Sequence, residues 1–163
     1  MLRLTLAWLH LIALGIGLWA VFARGQALRE AVRELPRAGA LRRAFLADSQ
    51  WGVAAALWIG TGLWRYLGGT EKATAYYNGN HVFLTKMSLL AVILVLEVWP
   101  MITLIRWRVA IGRGAGAPGD AAVAGINAST ARRIAAISYV QGIIVVAMVF
   151  TAVAMARGYG ARG

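Results

Sequence analysis

Long runs of apolar residues, separated by short polar segments, dominate the chain. A helix needs about 20 mainly apolar residues to cross the hydrocarbon core of a bilayer, and four segments meet that need: residues 4–23, 49–67, 81–105 and 134–156. Because these runs are far longer than the strands of membrane barrels, they predict helices. The sequence therefore predicts an all-α polytopic membrane protein, a bundle of four transmembrane helices, as a single domain over residues 1–163.

The composition agrees with a chain that is surrounded by lipid. Hydrophobic residues make up 60% and charged residues 14% of the 163 residues, whereas soluble domains have about 45–50% and about 25%. The net charge of +11 would suggest nucleic-acid binding in a soluble protein. Here the basic residues lie in the connectors between apolar runs, so we expect the bilayer as partner and no nucleic acid.

The absence of cysteine excludes disulfides, iron–sulfur clusters and thiolate metal sites. Two histidines and six acidic residues give little material for a zinc site. The five methionines are scattered along the sequence, which does not favour copper transport.

The distribution of arginine and lysine predicts the orientation. Five basic residues flank the spans on one side, and eleven arginines lie in the connectors on the other. Since basic residues concentrate on the cytoplasmic side, we predict a bacterial inner-membrane protein with both termini in the periplasm. The eleven are Arg24, Arg29, Arg33, Arg37, Arg42, Arg43, Arg106, Arg108, Arg113, Arg132 and Arg133.

The two connectors on that side differ in character. The segment 25–47 is amphipathic and predicts a short helix that ends at Pro36 and lies on the cytoplasmic leaflet, or equally a solvated helical linker. Its apolar face would consist of Leu28, Val32 and Leu35. The segment 109–131 is rich in glycine and contains a proline, which predicts a flexible loop.

Small residues at four-residue spacing indicate where membrane helices pack closely. The second span carries Gly52, Ala56 and Gly60 in this register, and the first carries Ala13 and Gly17. We expect these residues to mark contacts between helices of one chain, with contact between two chains as the alternative.

Three ionisable residues lie within the predicted spans, where they are costly and suggest function: His10, Lys86 and Glu97. From the periplasmic side, His10 lies about 9 Å and Lys86 about 8 Å into their helices at 1.5 Å per residue. Their depths match. Arg65 ends the second span at the same side, and Tyr76 and Tyr77 follow in the adjoining loop.

These residues predict an outward-facing cationic pocket for a flat, largely apolar, anionic ligand. Haem b fits this description, with His10 as axial ligand to the iron and with Arg65 and Lys86 at the propionates. A quinone or an anionic lipid headgroup fits nearly as well. The alternative without a ligand is that His10 bonds to a neighbouring helix while Lys86 reaches towards the headgroups.

Glu97 lies in the cytoplasmic half of the third span, with Gln141 and Gln50 as candidate partners at its depth. It shares a helix face with Lys86 but is about 16 Å away along the helix, too far for a direct pair. Structural pairing is favoured over a proton relay, because Ser88 is the one polar residue between them.

Several short motifs resemble a family of small bacterial membrane proteins of unknown function, over about Leu9 to Gly160. That family is distantly similar to the HemJ-type protoporphyrinogen oxidases and to the copper-resistance protein D group. The shared features are a histidine early in the first span (here His10) and a lysine early in the third (here Lys86), and the resemblance implies a haem b at these two positions. The motifs are Asp48-x-x-Trp51-Gly52, Thr61-Gly62-x-x-Arg65, Glu71-Lys72, Tyr76-Tyr77, Asn80-x-x-Phe83-x-x-Lys86-Met87 and Arg106-Trp107-Arg108.

The sequence thus predicts an integral membrane binding or accessory protein with a pocket for haem b. One alternative is a structural subunit of a larger respiratory or photosynthetic complex, or a homo-oligomer. A porphyrin-oxidising enzyme similar to HemJ is the other. The residues by themselves do not predict an enzyme.

Overall fold

The computed structural model describes residues 1–33, 37–68, 79–113 and 126–160. This part of the chain forms four long helices: α1 (Leu2–Arg33), α2 (Arg37–Leu67), α3 (His81–Arg113) and α4 (Ala128–Ala156). The all-α fold predicted from the sequence is confirmed.

Three of the helices, α1, α3 and α4, are long and apolar enough to cross a membrane. Helix α2 is less apolar, because glycines, tryptophans, Gln50 and Arg65 replace aliphatic residues in it. The crossing of the membrane by α2 therefore stays a prediction.

All four helices are longer than the predicted spans. They contain 32, 31, 33 and 29 residues, or roughly 44–50 Å at 1.5 Å per residue, against a hydrocarbon core of about 30 Å. The extra length lies where α1 and α3 end and α2 and α4 begin. We call this the arginine end, and the opposite end, where α1 and α3 begin, the pocket end.

The predicted surface helix in segment 25–47 is wrong. Helix α1 continues without a break to Arg33, and Leu28 is fully buried among the other helices. Leu35 and Pro36 lie outside the described residues. The amphipathic pattern was real, but its apolar face is covered by protein rather than by lipid headgroups.

The predicted loop 109–131 is shorter at both ends. Helix α3 extends to Arg113 and α4 begins at Ala128, where the side chain of Asn127 accepts bonds from the backbone N–H groups of Ser129 and Thr130 and caps the helix. Residues 114–125 lie outside the described part of the chain.

The helices form an up-and-down bundle with one open side. Helix α1 packs along most of α2 and also against α4, and α4 packs against α3. Helices α2 and α3 make little contact. This order places α1 and α3 diagonally and leaves a seam between α2 and α3.

The interface between α1 and α2 has the spacing of a coiled coil. Buried residues alternate at intervals of three and four, which keeps one side of each helix facing its partner. The small side chains allow close approach. The buried residues at this spacing, most of them small, are Ala13, Gly17, Ala20, Arg24, Ala27 and Ala31 in α1 and Ala40, Ala44, Ala47, Trp51, Ala54 and Trp58 in α2.

The predicted small-residue contacts are correct for α1 but wrong within the chain for α2. A Cβ atom on Gly17 would lie 3.2 Å from the Trp51 ring. In contrast Gly52, Ala56 and Gly60 are exposed. The reason is that the tryptophans occupy the buried face of α2, which turns the small residues outward. Contact of this face with a second chain stays a prediction.

Two apolar clusters fill the bundle, one towards each end. The pocket-end cluster contains Ala13, Ala20, Val21, Trp51, Trp58, Ile93, Val145 and Met148. The arginine-end cluster contains Ala27, Leu28, Ala31, Ala40, Leu41, Ala44, Leu104, Ala131, Ile134 and Ala135. The second cluster shows that the helices stay packed together beyond the length that the predicted spans require.

Gly142 in α4 and Gly52 in α2 provide a matched test of this packing. A Cβ atom on Gly142 would lie 2.6 Å from the Phe22 ring, whereas one on Gly52 meets nothing within 4 Å. We expect Gly142→Ala to destabilise the protein by about 1–3 kcal/mol through overpacking. Thermal unfolding in detergent should show a lower midpoint for Gly142→Ala than for the wild type, and an unchanged midpoint for Gly52→Ala. Equal midpoints would contradict the described contact between α4 and α1.

Candidate functional site

His10 lies near the pocket end of α1 and is held by α2. Its Nδ1 atom is 3.0 Å from the hydroxyl oxygen of Thr61. That hydroxyl donates its one proton to the carbonyl of Leu57, 2.7 Å away in the preceding turn. With its proton on that carbonyl, the hydroxyl matches the tautomer of His10 in which Nδ1 donates to Thr61 and Nε2 carries the lone pair.

Two further contacts with α2 fix the position of the His10 ring. Trp58 lies beside it with 5.9 Å between ring centroids. Gly62 leaves the necessary room, since a Cβ atom there would lie 3.1 Å from Cε1 of His10. Thr61, Gly62 and Trp58 are thus the residues that orient the imidazole.

A cavity of about 340 Å³ adjoins His10. All four helices contribute to its walls, which are mainly apolar. Its lining residues are His10, Trp58, Ile59, Gly62, Leu63, Arg65, Tyr66, Phe83, Lys86, Met87, Leu90, Met148 and Met155. At the pocket end Tyr66 of α2 stacks on Phe83 of α3 with 5.4 Å between centroids, and both rings line the cavity.

The structure brings three of the predicted site residues to this cavity: His10, Arg65 and Lys86 all line it. Tyr76 and Tyr77, which were predicted to adjoin it, lie outside the described residues. An imidazole on α1 and cations on α2 and α3 therefore share one cavity.

The methionines of the cavity are a feature that the sequence did not predict. Met87 of α3 and Met148 and Met155 of α4 all line it, so three of the five methionines of the chain meet there. Met148 and Met155 are seven residues apart on one face of α4, and Met87 joins them through the packing of α3 against α4. Among the described residues, no group of three or more histidine and acidic side chains could hold a metal ion.

The other predicted intramembrane polar residues, Glu97 and Gln141, lie near the middle of the bundle around Arg24. The guanidinium of Arg24 is fully buried, and its Nη1 and Nη2 atoms donate to the two carboxylate oxygens of Glu97 at 2.6 and 2.9 Å. Nη1 also donates to Asp48 at 2.9 Å. This paired geometry is the strong form of the arginine–carboxylate interaction.

Neutral side chains on α4 accept the other two bonds. Nε of Arg24 donates to the Ser138 hydroxyl at 2.9 Å, and Nη2 donates to the amide oxygen of Gln141 at 2.8 Å. With the carboxylates, these acceptors engage all five N–H donors of the guanidinium. The amide nitrogen of Gln141 in turn donates to Glu97 at 2.8 Å. We call Arg24, Asp48, Glu97, Ser138 and Gln141 the arginine network.

A second arginine closes the network towards the arginine end. Arg108 of α3 donates to the carbonyl of Phe45 at 2.8 Å and lies 3.4 Å from the second carboxylate oxygen of Asp48. Asp48 is thus shared between a buried and a half-exposed cation. This is one place where α2 and α3 come into contact.

The predictions for Glu97 were partly correct. Gln141 is its partner, whereas Gln50 is exposed and takes no part in the network. Since both carboxylate oxygens of Glu97 accept bonds from Arg24, the geometry favours structural pairing over a proton relay to Lys86.

The assignment of Arg24 to a cytoplasmic connector was wrong. Arg24 sits inside α1 at the next buried position of the three-and-four spacing after Ala20 and before Ala27. Continuing that spacing past the apolar run would have identified Arg24 as an interior residue. The compensation of its charge by Asp48 and Glu97 could not be seen in one helix alone.

Replacement of Arg24 by lysine tests the network. Lysine keeps the charge but has three donors instead of five, and each buried acceptor that loses its donor costs about 1–3 kcal/mol. We expect a clearly lower unfolding midpoint for Arg24→Lys in detergent. The control is Arg43→Lys, because Arg43 pairs with Glu30 on the exposed surface, where a pair contributes about 0–1 kcal/mol. Similar midpoints for the two variants would contradict the role of the network.

Comparison with known proteins identifies a family but no characterised relative. Neither the curated proteins nor the solved structures contain a match. The model of one family, described as "Predicted membrane protein (DUF2214)", matches residues 2–160. This match confirms the predicted membership of a membrane protein family of unknown function. The chain therefore belongs to the DUF2214 family of predicted membrane proteins.

Proposed function

We propose that this protein is a four-span binding protein of the bacterial inner membrane, whose cavity at the pocket end holds a flat, amphipathic, anionic ligand. The observation that carries the proposal is the state of His10. Thr61 fixes its ring with Nε2 as the available nitrogen, in a cavity that Arg65 and Lys86 also line.

The walls and the cations of the cavity select for an amphipathic ligand. Leucine, isoleucine, methionine and aromatic side chains form most of the lining, which favours the burial of an apolar ring system. Lys86 and Arg65 add positive charge at the same site. Ligands of this kind carry carboxylates or other anionic groups at one edge.

Haem b is the ligand that the donor set fits best. Haem iron accepts a neutral imidazole as axial ligand, and a hydrogen bond from the other ring nitrogen fixes the tautomer and orientation of such a ligand. Nε2 of His10 would take the iron, and Arg65 and Lys86 would hold the propionates. Bound haem b supplies an iron that changes its oxidation state.

The absorption spectrum of the detergent-purified protein tests haem binding. We expect a Soret band after expression with sufficient haem, and its loss in His10→Ala. The matched control is His81→Ala, because His81 is exposed at the start of α3 and does not line the cavity. A colourless wild-type protein that does not bind added haem would overturn the proposal, as would a His10→Ala variant that keeps the band.

The orienting role of Thr61 gives a second, graded test. Thr61→Val keeps the shape of the side chain but removes the acceptor for Nδ1 of His10. Loss of such an orienting partner typically weakens metal binding by about 10–100-fold. Titration of the purified protein with haem should show this weakening, with Thr85→Val as the control, since Thr85 is an exposed residue of α3. Unchanged affinity in Thr61→Val would contradict the assigned tautomer.

The same proposal places the cavity on the periplasmic side. Nine exposed arginines surround the arginine end: Arg29, Arg33, Arg42, Arg43, Arg106, Arg108, Arg113, Arg132 and Arg133. Removal of buried Arg24 from the earlier count leaves this asymmetry intact, and basic residues favour the cytoplasm. Both termini and the pocket end of the bundle then face the periplasm.

Reporter fusions at the C-terminus test this orientation. We expect alkaline phosphatase fused after Gly163 to be active, because it folds in the periplasm, and a fluorescent protein that needs the cytoplasm to be dark. The matched fusion after Arg113, at the arginine end of α3, should give the opposite pair of results. A bright C-terminal fluorescent fusion would reverse the proposed topology.

A further inference from the structure

The sulfur atoms of the three cavity methionines, Met87, Met148 and Met155, take no part in the proposed binding of haem. A thioether is a soft ligand that binds haem iron and raises its reduction potential. Of the three that line the cavity, Met87 has the placement that this role requires, and two observations lead to it.

The first observation is the diagonal arrangement of α1 and α3. An axial ligand pair must approach the iron from opposite faces of the ring. Helices α2 and α4 both pack against α1, whereas α3 lies across the bundle from it. Met87 of α3 and His10 of α1 both line the cavity, and their helices lie diagonally in the bundle. Met148 and Met155 belong to α4, which packs directly against α1 rather than lying across the bundle from it.

The arginine network supplies a height scale for these residues, because it joins all four helices at one level. His10 is 14 residues from Arg24 along α1, or about 21 Å, and Thr61 is 13 residues from Asp48 along α2, or about 20 Å. The bond between His10 and Thr61 agrees with these two heights. Met87 is ten residues from Glu97, or about 15 Å, one helical turn below His10. Met148 and Met155, seven and 14 residues from Gln141, lie about 10 and about 21 Å above the network. Met155 is therefore level with His10, and the diagonal position of α3, not height, distinguishes Met87 from it.

The second observation is that Met87 directly follows Lys86. Successive side chains of an α-helix point about 100° apart, and both residues line the cavity. The same turn of α3 can therefore present an ammonium to the edge of a flat ligand and a thioether to its face. A flat ligand that has an anionic edge and a metal at its centre can use both of these groups.

We propose that the thioether sulfur of Met87 is the second axial ligand of the haem iron, opposite Nε2 of His10. This inference rests on the proposed function, since it assigns a residue to the same bound haem. It predicts a six-coordinate, low-spin iron with a high reduction potential. It also predicts that external ligands such as carbon monoxide compete poorly for the ferrous iron.

The test is Met87→Leu, which keeps the volume and apolar character of the side chain but removes the sulfur. We expect the variant to retain the haem through His10 and to change from low-spin to high-spin absorption. Its reduction potential should fall, and its ferrous form should bind carbon monoxide where the wild type does not. Met101→Leu is the matched control, because Met101 is exposed on α3 and does not line the cavity, and it should keep the spectrum of the wild type.

The outcomes separate this inference from the proposed function. A haem-loaded wild type whose spectrum, potential and carbon monoxide binding are unchanged in Met87→Leu overturns the ligand assignment and leaves haem binding intact. A high-spin wild type also overturns the ligand assignment, and a change that appears in Met148→Leu or Met155→Leu but not in Met87→Leu assigns the ligand to α4. If the wild type takes up no haem, both the inference and the proposed function are wrong. A thermal unfolding midpoint for Met87→Leu close to that of the wild type excludes misfolding as the cause of a spectral change.

Discussion

The burial of one guanidinium is the constraint on which the bundle depends. Arg24 is removed from solvent and has all five of its donors engaged by residues of α2, α3 and α4. A buried charge that loses its partners is strongly destabilising. A shift of any helix by one turn, about 5.4 Å, would break these bonds. The network therefore fixes the register of the four helices more sharply than apolar packing can.

This register has a consequence at the far end of the bundle. Because α1 and α2 are antiparallel and joined at the level of Arg24 and Asp48, similar numbers of residues bring His10 and Thr61 to the same height. Lys86, eleven residues from Glu97 on α3, reaches the cavity in the same way. The arginine network and the cavity share no residues, but the helix register that the network fixes also sets which residues reach the cavity. The two apolar clusters lie on either side of the network and keep it from water.

The open side between α2 and α3 explains why the cavity exists. These helices meet through Arg108 at one end and through the stacking of Tyr66 on Phe83 at the other. Between these contacts the tight packing of the other helix pairs is absent. Small residues allow α1 and α2 to pack closely. Helix α3 carries large side chains and has few buried residues, so it packs less closely. A cavity therefore forms at the side where close packing is least favoured.

The sequence by itself determined the helices and their apolar character, because hydrophobic period and length are local properties. It also gave Gln141 as one of two candidate partners of Glu97, and packing decided between Gln141 and Gln50. The sequence prediction put Arg24 in a cytoplasmic connector and the small residues of α2 at a helix interface. Both were wrong within the chain, because the sequence of one helix does not show which of its sides packs against a neighbour. Tertiary packing decided that side, and with it the burial of Arg24. The same packing gathered Met87, Met148 and Met155 around His10, because proximity between helices depends on their register and not on distance along the chain.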